Sequence, residues 1–150
     1  MPVHIRPADL GDIRHLRKLM HALARYHGEV ATATEASLHR DLFRDPVAGF
    51  ALVAESEAQA ICGYALLVPL WKPHTDERAI QVSHLYVSSS HRGQGIGRRL
   101  IDASRRTAQA RGASNLTIGT NPDNAKAQAF YRHLGLAEAP MPGPRFVEVL

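Results

Sequence analysis

The stretch from Gln81 to Leu100 constrains the fold of this chain more than any other. A strand-like segment ending His84-Leu85-Tyr86-Val87 runs into a polar turn, and Arg92-Gly93-Gln94-Gly95-Ile96-Gly97 then opens a helix. Glycine at every second position lets the backbone lie against a bulky ligand with several N–H groups on one side, and the helix adds the partial positive charge of its first turn. Such a turn suits an anion of the size of a diphosphate. The same glycines also suit an ordinary tight strand-to-helix turn, and the spacing alone is compatible with both. It is not the dinucleotide pattern G-x-G-x-x-G, and no G-x-x-x-x-G-K-[ST] phosphate loop occurs, which disfavours nicotinamide and ATP.

Around this stretch the chain alternates between strand and helix signals. Val3 to Arg6 reads as a strand stopped by Pro7. Leu10, Ile13, Leu16, Leu19, Met20 and Leu23 then recur at helical spacing, with Asp9 as cap and Gly28 as stop. Thr32-Ala33-Thr34-Glu35 reads as a capping box for a second helix carrying Leu38, Leu42 and Phe43, ended by Asp45-Pro46. Phe50 to Ala54 and Ile61 to Val68 read as an antiparallel hairpin. Pro69 to Asp76 reads as irregular, and a central strand follows from about Ala79 to Val87. A helix over Ile96, Leu100, Ile101 and Ala108 ends near Gly112, Leu116-Thr117-Ile118 begins a strand, and Asn121-Pro122-Asp123 caps a helix from about Asn124 to Leu134. Pro140, Pro142 and Pro144 make a rigid loop, after which Phe146-Val147-Glu148-Val149-Leu150 can form a last strand.

At 150 residues the chain is most simply one domain, 1–150. Its 45% apolar and 21% charged residues describe a folded globular protein. The longest apolar run, Ile61 to Trp71, holds Gly63 and Pro69 and is too short to span a bilayer, and Met1-Pro2-Val3-His4 has no apolar signal region; a cytoplasmic protein is expected. The lone Cys62 lies in that run and reads as a core residue. Nine histidines show no H-x-x-x-H pair, so no metal is assigned. The net charge of +4 points to an anionic partner or to a solubility preference. Arg98, Arg99, Arg105, Arg106 and Arg111 on one helix keep a nucleic-acid-binding module in view, but aromatic residues at 6% are few for base stacking and disfavour it.

Two segments resemble one family. Arg92-Gly93-Gln94-Gly95-Ile96-Gly97 is similar to the R/Q-x-x-G-x-G/A signature of the GNAT superfamily of acyl-CoA-dependent N-acetyltransferases. Asn124 to Leu136, NAKAQAFYRHLGL, is similar to that family's N-x-x-A-x-x-F-Y-x-x-L-G-F segment. More faintly, Ile5-Arg6-Pro7-Ala8, Leu23-Ala24-Arg25-Tyr26, Leu38 to Phe43 and Cys62-Gly63-Tyr64-Ala65 resemble diamine (spermidine/spermine-type) N-acetyltransferases; where those carry an acidic residue after the tyrosine, this chain has His27. The resemblance implies an α/β (α+β) fold with a mixed, mostly antiparallel central sheet of about six to seven strands and helices on both faces. It implies acetyl-CoA as acyl donor and acetyl transfer to a small primary amine, such as a diamine, amino acid or amino-sugar. A protein or peptide amine, or a regulator that binds acyl-CoA without turnover, are the alternatives. Homodimers are common among such proteins.

Carried over residue by residue, Leu85, Tyr86 and Val87 would meet the pantetheine arm. Amides from Arg92, Gly93, Gln94, Gly95, Ile96, Gly97 and Arg98 would hold the diphosphate, with Asn124 and Lys126 nearby. Tyr131 would give a proton to the departing thiolate, its pKa near 10 matching an alkyl thiol, although Ala127, Tyr131 and Leu134 also form an ordinary helix stripe. Many members carry an acidic base just before the strand's end, where Ser83 and His84 stand here. Strand alternation puts these two on opposite faces, so His84, or a water held by Ser83, is the expected replacement. Tyr26, His27, Glu29, Glu35, Trp71 and Asp76 are acceptor-pocket candidates by their order in the chain.

Overall fold

The structure is a computed structural model that describes residues 2–140 and 143–150. The chain divides into two compact units, Met1–Gly119 and Thr120–Leu150. In the first, β1 (Val3–Pro7), β2 (Phe50–Ser56), β3 (Ile61–Lys72), β4 (Glu77–Val87) and β5 (Asn115–Ile118) form one sheet in the order β1-β2-β3-β4-β5. The first four strands pair antiparallel and β5 joins β4 in parallel. The helices are α1 (Ile13–Tyr26), entered through a 3-10 turn Leu10–Asp12, α2 (Glu35–Phe43) and α3 (Ile96–Ala110).

Strand alternation divides the core into two layers. Ala51, Val53 and Tyr64 cluster with Ile13, Leu16 and Met20 of α1 and Leu38 and Leu42 of α2. Leu52, Ala54 and Ala65 point to the opposite face, where Leu100 and Ile101 of α3 are fully buried. Helices therefore cover both faces. Fully burying a leucine such as Leu16 or Leu100 contributes roughly 2 kcal/mol.

Asp9 starts the first helical segment by accepting from Gly11 N at 2.8 Å, while Asp12 accepts from Asp9 N at 2.8 Å. Asp12 also receives a forked pair of bonds from Arg6, at 2.7 and 3.0 Å, and Arg6 reaches Glu55 at 2.7 Å. This triad ties β1, α1 and β2 together. Burial pushes the Asp12 carboxyl up, but the Arg6 and Asp9 hydrogen bonds outweigh it and leave the group below its ordinary value. The capping box of α2 lies at Thr34 and Ser37, not at Thr32 and Glu35, because the Ser37 hydroxyl returns the bond to Thr34 N at 3.0 Å.

Pro69 does not end β3. β2 reaches only to Leu67, so beyond it one edge of β3 is free and a residue without an N–H is tolerated; Leu70, Trp71 and Lys72 continue pairing with β4. Among the described residues the sheet has five strands rather than six or seven. Residues 146–150 form none, and Phe146, Val147, Val149 and Leu150 are fully exposed. Alternating apolar residues make a strand only where a neighbouring edge takes up their ladder.

In the second unit, α4 (Ala125–His133) is capped by Asn124, whose Oδ1 accepts from Ala127 N at 3.1 Å. Gly135 follows its end at φ 88°, and Arg132 pairs with Glu138 at 3.0 Å. Pro142 of the expected proline loop and Met1 lie outside the described residues. Among the described residues no helix is long and apolar enough to cross a membrane.

Candidate active site

The parallel pairing of β4 with β5 runs only from Ala79 to Val82, so residues 83–87 carry no β5 partner along that edge. The backbone groups that point away from β3 there, the Val87 carbonyl held by Arg92 excepted, suit an amide-bearing ligand at the point where β4 delivers the chain to the glycine turn. In that turn Gly93 and Gly95 both lie at φ 77°, and Gly95 is the residue from which α3 starts. Arg99 N bonds Gly95 O at 3.1 Å, which leaves the amides before it at the open end of the helix. No side chain caps that end and no acidic residue lies in its first turn. Arg92, Gln94, Arg98 and Arg99 are exposed around it. An uncapped helix start with positive neighbours and two left-handed glycines fits a diphosphate, and the open β4 edge fits a pantetheine-like arm.

A bulge prepares the other side of β4. Leu66 pairs with His84 and Leu67 with Val82, leaving Ser83 as an extra, exposed residue. Simple alternation therefore does not hold across Ser83 and His84. The extra residue turns His84 onto the face of Tyr64, Leu66 and Tyr86, under α1, whereas Val82 faces α3. There His84 Nδ1 lies 3.0 Å from the Tyr64 hydroxyl, the two rings meeting edge-on with centroids 5.9 Å apart. Burial holds the imidazole below the ordinary histidine value; the Glu29 carboxylate opposes this and His27 adds to it. Burial also pushes the Tyr64 hydroxyl well up, so it stays protonated.

Arg92 joins the two sides. Its Nε donates to Val87 O at 2.9 Å, and its guanidinium lies 5.4 Å from the centre of the Tyr26 ring and 5.5 Å from that of Tyr86. Tyr26, at the end of α1, packs edge-on against His27. The structure thus brings Tyr26, His27 and Glu29 to the side of β4 where His84 and Tyr86 stand.

Trp71 and Asp76 are not brought there. Trp71 pairs with Arg78 at the far tip of the β3–β4 hairpin, roughly 20 Å along the strand from His84, and its Nε1 donates to Asp76 at 3.1 Å. Glu35 pairs with Arg14 at 3.6 Å at the start of α2. In the second unit Lys126 is exposed on the first turn of α4 and Asn124 is used as its cap. Tyr131 is half-buried beside Phe130, and burial raises its hydroxyl above the ordinary tyrosine value.

The sequence reading missed Tyr64 as a polar partner. Its signal was a hydroxyl inside the apolar run Ile61 to Trp71, since a buried tyrosine needs something to bond. It also missed the Arg92 side chain, assigned only for its amide. The arginine helix is partly engaged: Arg105 pairs with Asp102 at 2.9 Å and Arg111 stacks on Phe50 at 3.8 Å.

Comparison with known proteins agrees with this geometry. The model of the Acetyltransferase (GNAT) family matches residues 16–136. Over 145 residues the chain is 32% identical to the thialysine N-epsilon-acetyltransferase of Bos taurus, covering 89% of this chain and 83% of that protein. It is 34% identical over 83 residues to N-acetyltransferase 8 of Homo sapiens, covering 55% of this chain and 36% of that one. Among solved structures, the ribosomal-protein-alanine N-acetyltransferase from Brucella melitensis biovar Abortus 2308 matches with a TM-score of 0.77 and 26% identity, covering 99% of this chain and 100% of that chain. An open β4 edge leading into an uncapped, glycine-started helix, and a family model spanning most of the chain, have one common explanation: this protein belongs to the GNAT family of acyl-CoA-dependent N-acetyltransferases.

Proposed function

We propose that this enzyme acetylates a primary amine of a small molecule, a diamine, amino acid or amino-sugar, by direct attack of the neutral amine on the thioester of acetyl-CoA. The observation that carries the reading is the pair of sides on β4: an edge without a β5 partner beyond Val82 for the donor, and His84 on the α1 face, within electrostatic reach of Glu29 and His27, for the acceptor. Acetyl-CoA supplies an activated acyl carbon and a thiolate leaving group. The amides of Arg92 to Gly97 and the start of α3 hold its diphosphate, with Arg98 adding charge. Leu85 and Val87 would pair with its arm through backbone groups, and Val87 N–H would be the hydrogen-bond donor at the thioester carbonyl, a contribution on the order of 3 kcal/mol. By the family resemblance alone, Tyr131 would be the proton donor to the departing sulfur, and Asn124 and Lys126 would be further contacts to the donor.

On the acceptor side the carboxylate of Glu29 attracts an ammonium, and Tyr26 and His27 line its approach. The proton released before attack goes to the His84 ring or to a water beside Ser83. The small-molecule class is favoured by the likeness to an enzyme named for thialysine, an amine of that size. The test is thiol release from acetyl-CoA with polyamines, amino acids, aminoglycosides and peptide N-termini, run beside Tyr131→Phe. Release with one small-amine class, strongly slowed in the variant, is expected. Release only with peptides moves the acceptor to a protein amine, and coenzyme A binding without release on any amine makes the chain a non-catalytic binder.

A further inference from the structure

Tyr64 is fully buried on the face of the sheet under α1. Its hydroxyl has one hydrogen-bond partner among the described residues, Nδ1 of His84 at 3.0 Å. A phenol carries a single proton, and a buried O–H left without an acceptor is far costlier than a phenolic oxygen with a spare lone pair. If His84 carried its proton on Nδ1, that N–H would point at the Tyr64 oxygen and the phenolic proton would have nowhere to go. The arrangement that satisfies both groups has O–H donating to the Nδ1 lone pair. A neutral imidazole has one N–H, which then sits on Nε2, on the far side of the ring from Tyr64. Burial keeps both partners in the forms this requires, the phenol protonated and the imidazole neutral. The other groups facing the pair are Tyr86 from β4 and His27 and Glu29 from the segment after α1.

We infer that Tyr64 is a positioning residue that fixes His84 in its Nε2–H form, so that His84 offers the acceptor a hydrogen-bond donor rather than a lone pair and selects amines carrying a nearby oxygen. This rests on the acetyl-transfer reading above only in placing the acceptor on the His84 side of β4. Two consequences follow for the reaction. The ring's lone pair is engaged, so of the two routes given above only the one to water remains: the ammonium N–H bond breaks, an O–H bond forms on a solvent water, and the Glu29 carboxylate eases the passage of the cation. The acceptor class is also narrowed. A hydroxyl or carboxylate oxygen accepts the Nε2–H bond, whereas the second ammonium of a plain diamine meets a donor with a donor. Amino acids and amino-sugars are therefore favoured over alkyl diamines.

Two measurements on the full chain test this. The first is the nitrogen-15 NMR spectrum of histidine-labelled protein above neutral pH, with His84 assigned by its loss in His84→Gln. Nδ1 should appear as the unprotonated nitrogen and Nε2 as the protonated one, and in Tyr64→Phe the ring should sample both forms. A protonated Nδ1 in the parent overturns the assignment. The second compares kcat/KM for ethanolamine against ethylenediamine and for lysine against cadaverine. The parent should favour the oxygen-bearing partner by about tenfold, the worth of one hydrogen bond. His84→Gln, whose amide N–H takes the place of Nε2–H, should keep that preference and His84→Ala should lose it. Equal preference in His84→Ala, or none in the parent, overturns the specificity role. Silence with every amine would remove the acetyl-transfer reading, while the labelled spectrum still decides the tautomer.

Discussion

Replacing Gly95 by alanine separates what the glycine turn does for folding from what it does for the donor. Gly95 sits at φ 77° and ψ 10° at the start of α3, and no chain atom outside its immediate neighbours lies within 4 Å of where a Cβ would stand. No clash therefore contributes. Holding alanine in the left-handed region costs about 1–2 kcal/mol, and the stiffer unfolded chain offsets roughly 0.5 kcal/mol of that. The net loss of about 1 kcal/mol lowers Tm by roughly 2–4 °C in a chain of this size. Gly112, at φ 76° beyond the other end of α3 and equally uncrowded, is the control: Gly112→Ala should lower Tm by the same amount. The two variants part in calorimetric titration with coenzyme A. If the amides around Gly95 hold the diphosphate, a Cβ on that side displaces at least one charge-assisted hydrogen bond, worth about 1.5–3 kcal/mol, so Kd rises about ten- to hundredfold in Gly95→Ala. It stays at the parent value in Gly112→Ala. Equal affinities in the two variants would refute the cradle, and a far larger Tm loss in Gly95→Ala would mean that the turn is packed.

Three further outcomes are expected. Asp12→Asn removes the charged partner of the part-buried Arg6 fork while Glu55 still pairs with Arg6, and should cost about 1.5–3 kcal/mol in chemical denaturation. Because the folded Asp12 carboxyl is held below its ordinary value, its contribution is complete above about pH 4 and fades as pH falls through the lower folded value. The acid-side slope of Tm against pH should therefore flatten in the variant. Gly63→Ala would bring a Cβ within 2.9 Å of Tyr86 O and 3.5 Å of the Val87 Cα, both backbone, so about 1–3 kcal/mol of stability should go. Its kcat should fall further than its Tm loss explains, as Val87 is pushed off position. Tyr131→Phe should lower kcat on the order of 100-fold with coenzyme A affinity kept; any alkaline limb of kcat belonging to Tyr131 lies above pH ~10, because burial raises the hydroxyl, and it should vanish in the variant.

The elements legible in the sequence are those set by local chemistry. Asp9, Gly28 and the spacing from Leu10 to Leu23 mark the first helix, and Gly93 and Gly95 mark the turn into α3. Asn124 and Gly135 bracket α4. Each depends on residues within a turn or two of one another. Where a partner elsewhere decides, local reading fails. Phe146 to Leu150 has the alternation of a strand and no edge to join, whereas Leu70 to Lys72, behind a proline, continues as strand because Ala79, Arg78 and Glu77 pair with it. Trp71, placed near the acceptor side by its order in the chain, lies within β3 at the opposite tip of the hairpin.

The candidate site divides in the same way. By themselves the residues determine the conformation of the glycine turn proposed to hold the diphosphate, since φ near 77° at Gly93 and Gly95 and the orphan amides of a helix start are properties of a few consecutive positions. Only the tertiary structure decides which way His84 looks and what holds it. One extra residue at Ser83 reverses the facing of all that follows in β4, and the register that creates it is settled by pairing with β3, twenty residues earlier in the chain at Tyr64. Period-two alternation records which side chains share a face, but not where a strand slips by one, because the slip is stabilised by contacts on both faces of the sheet at once.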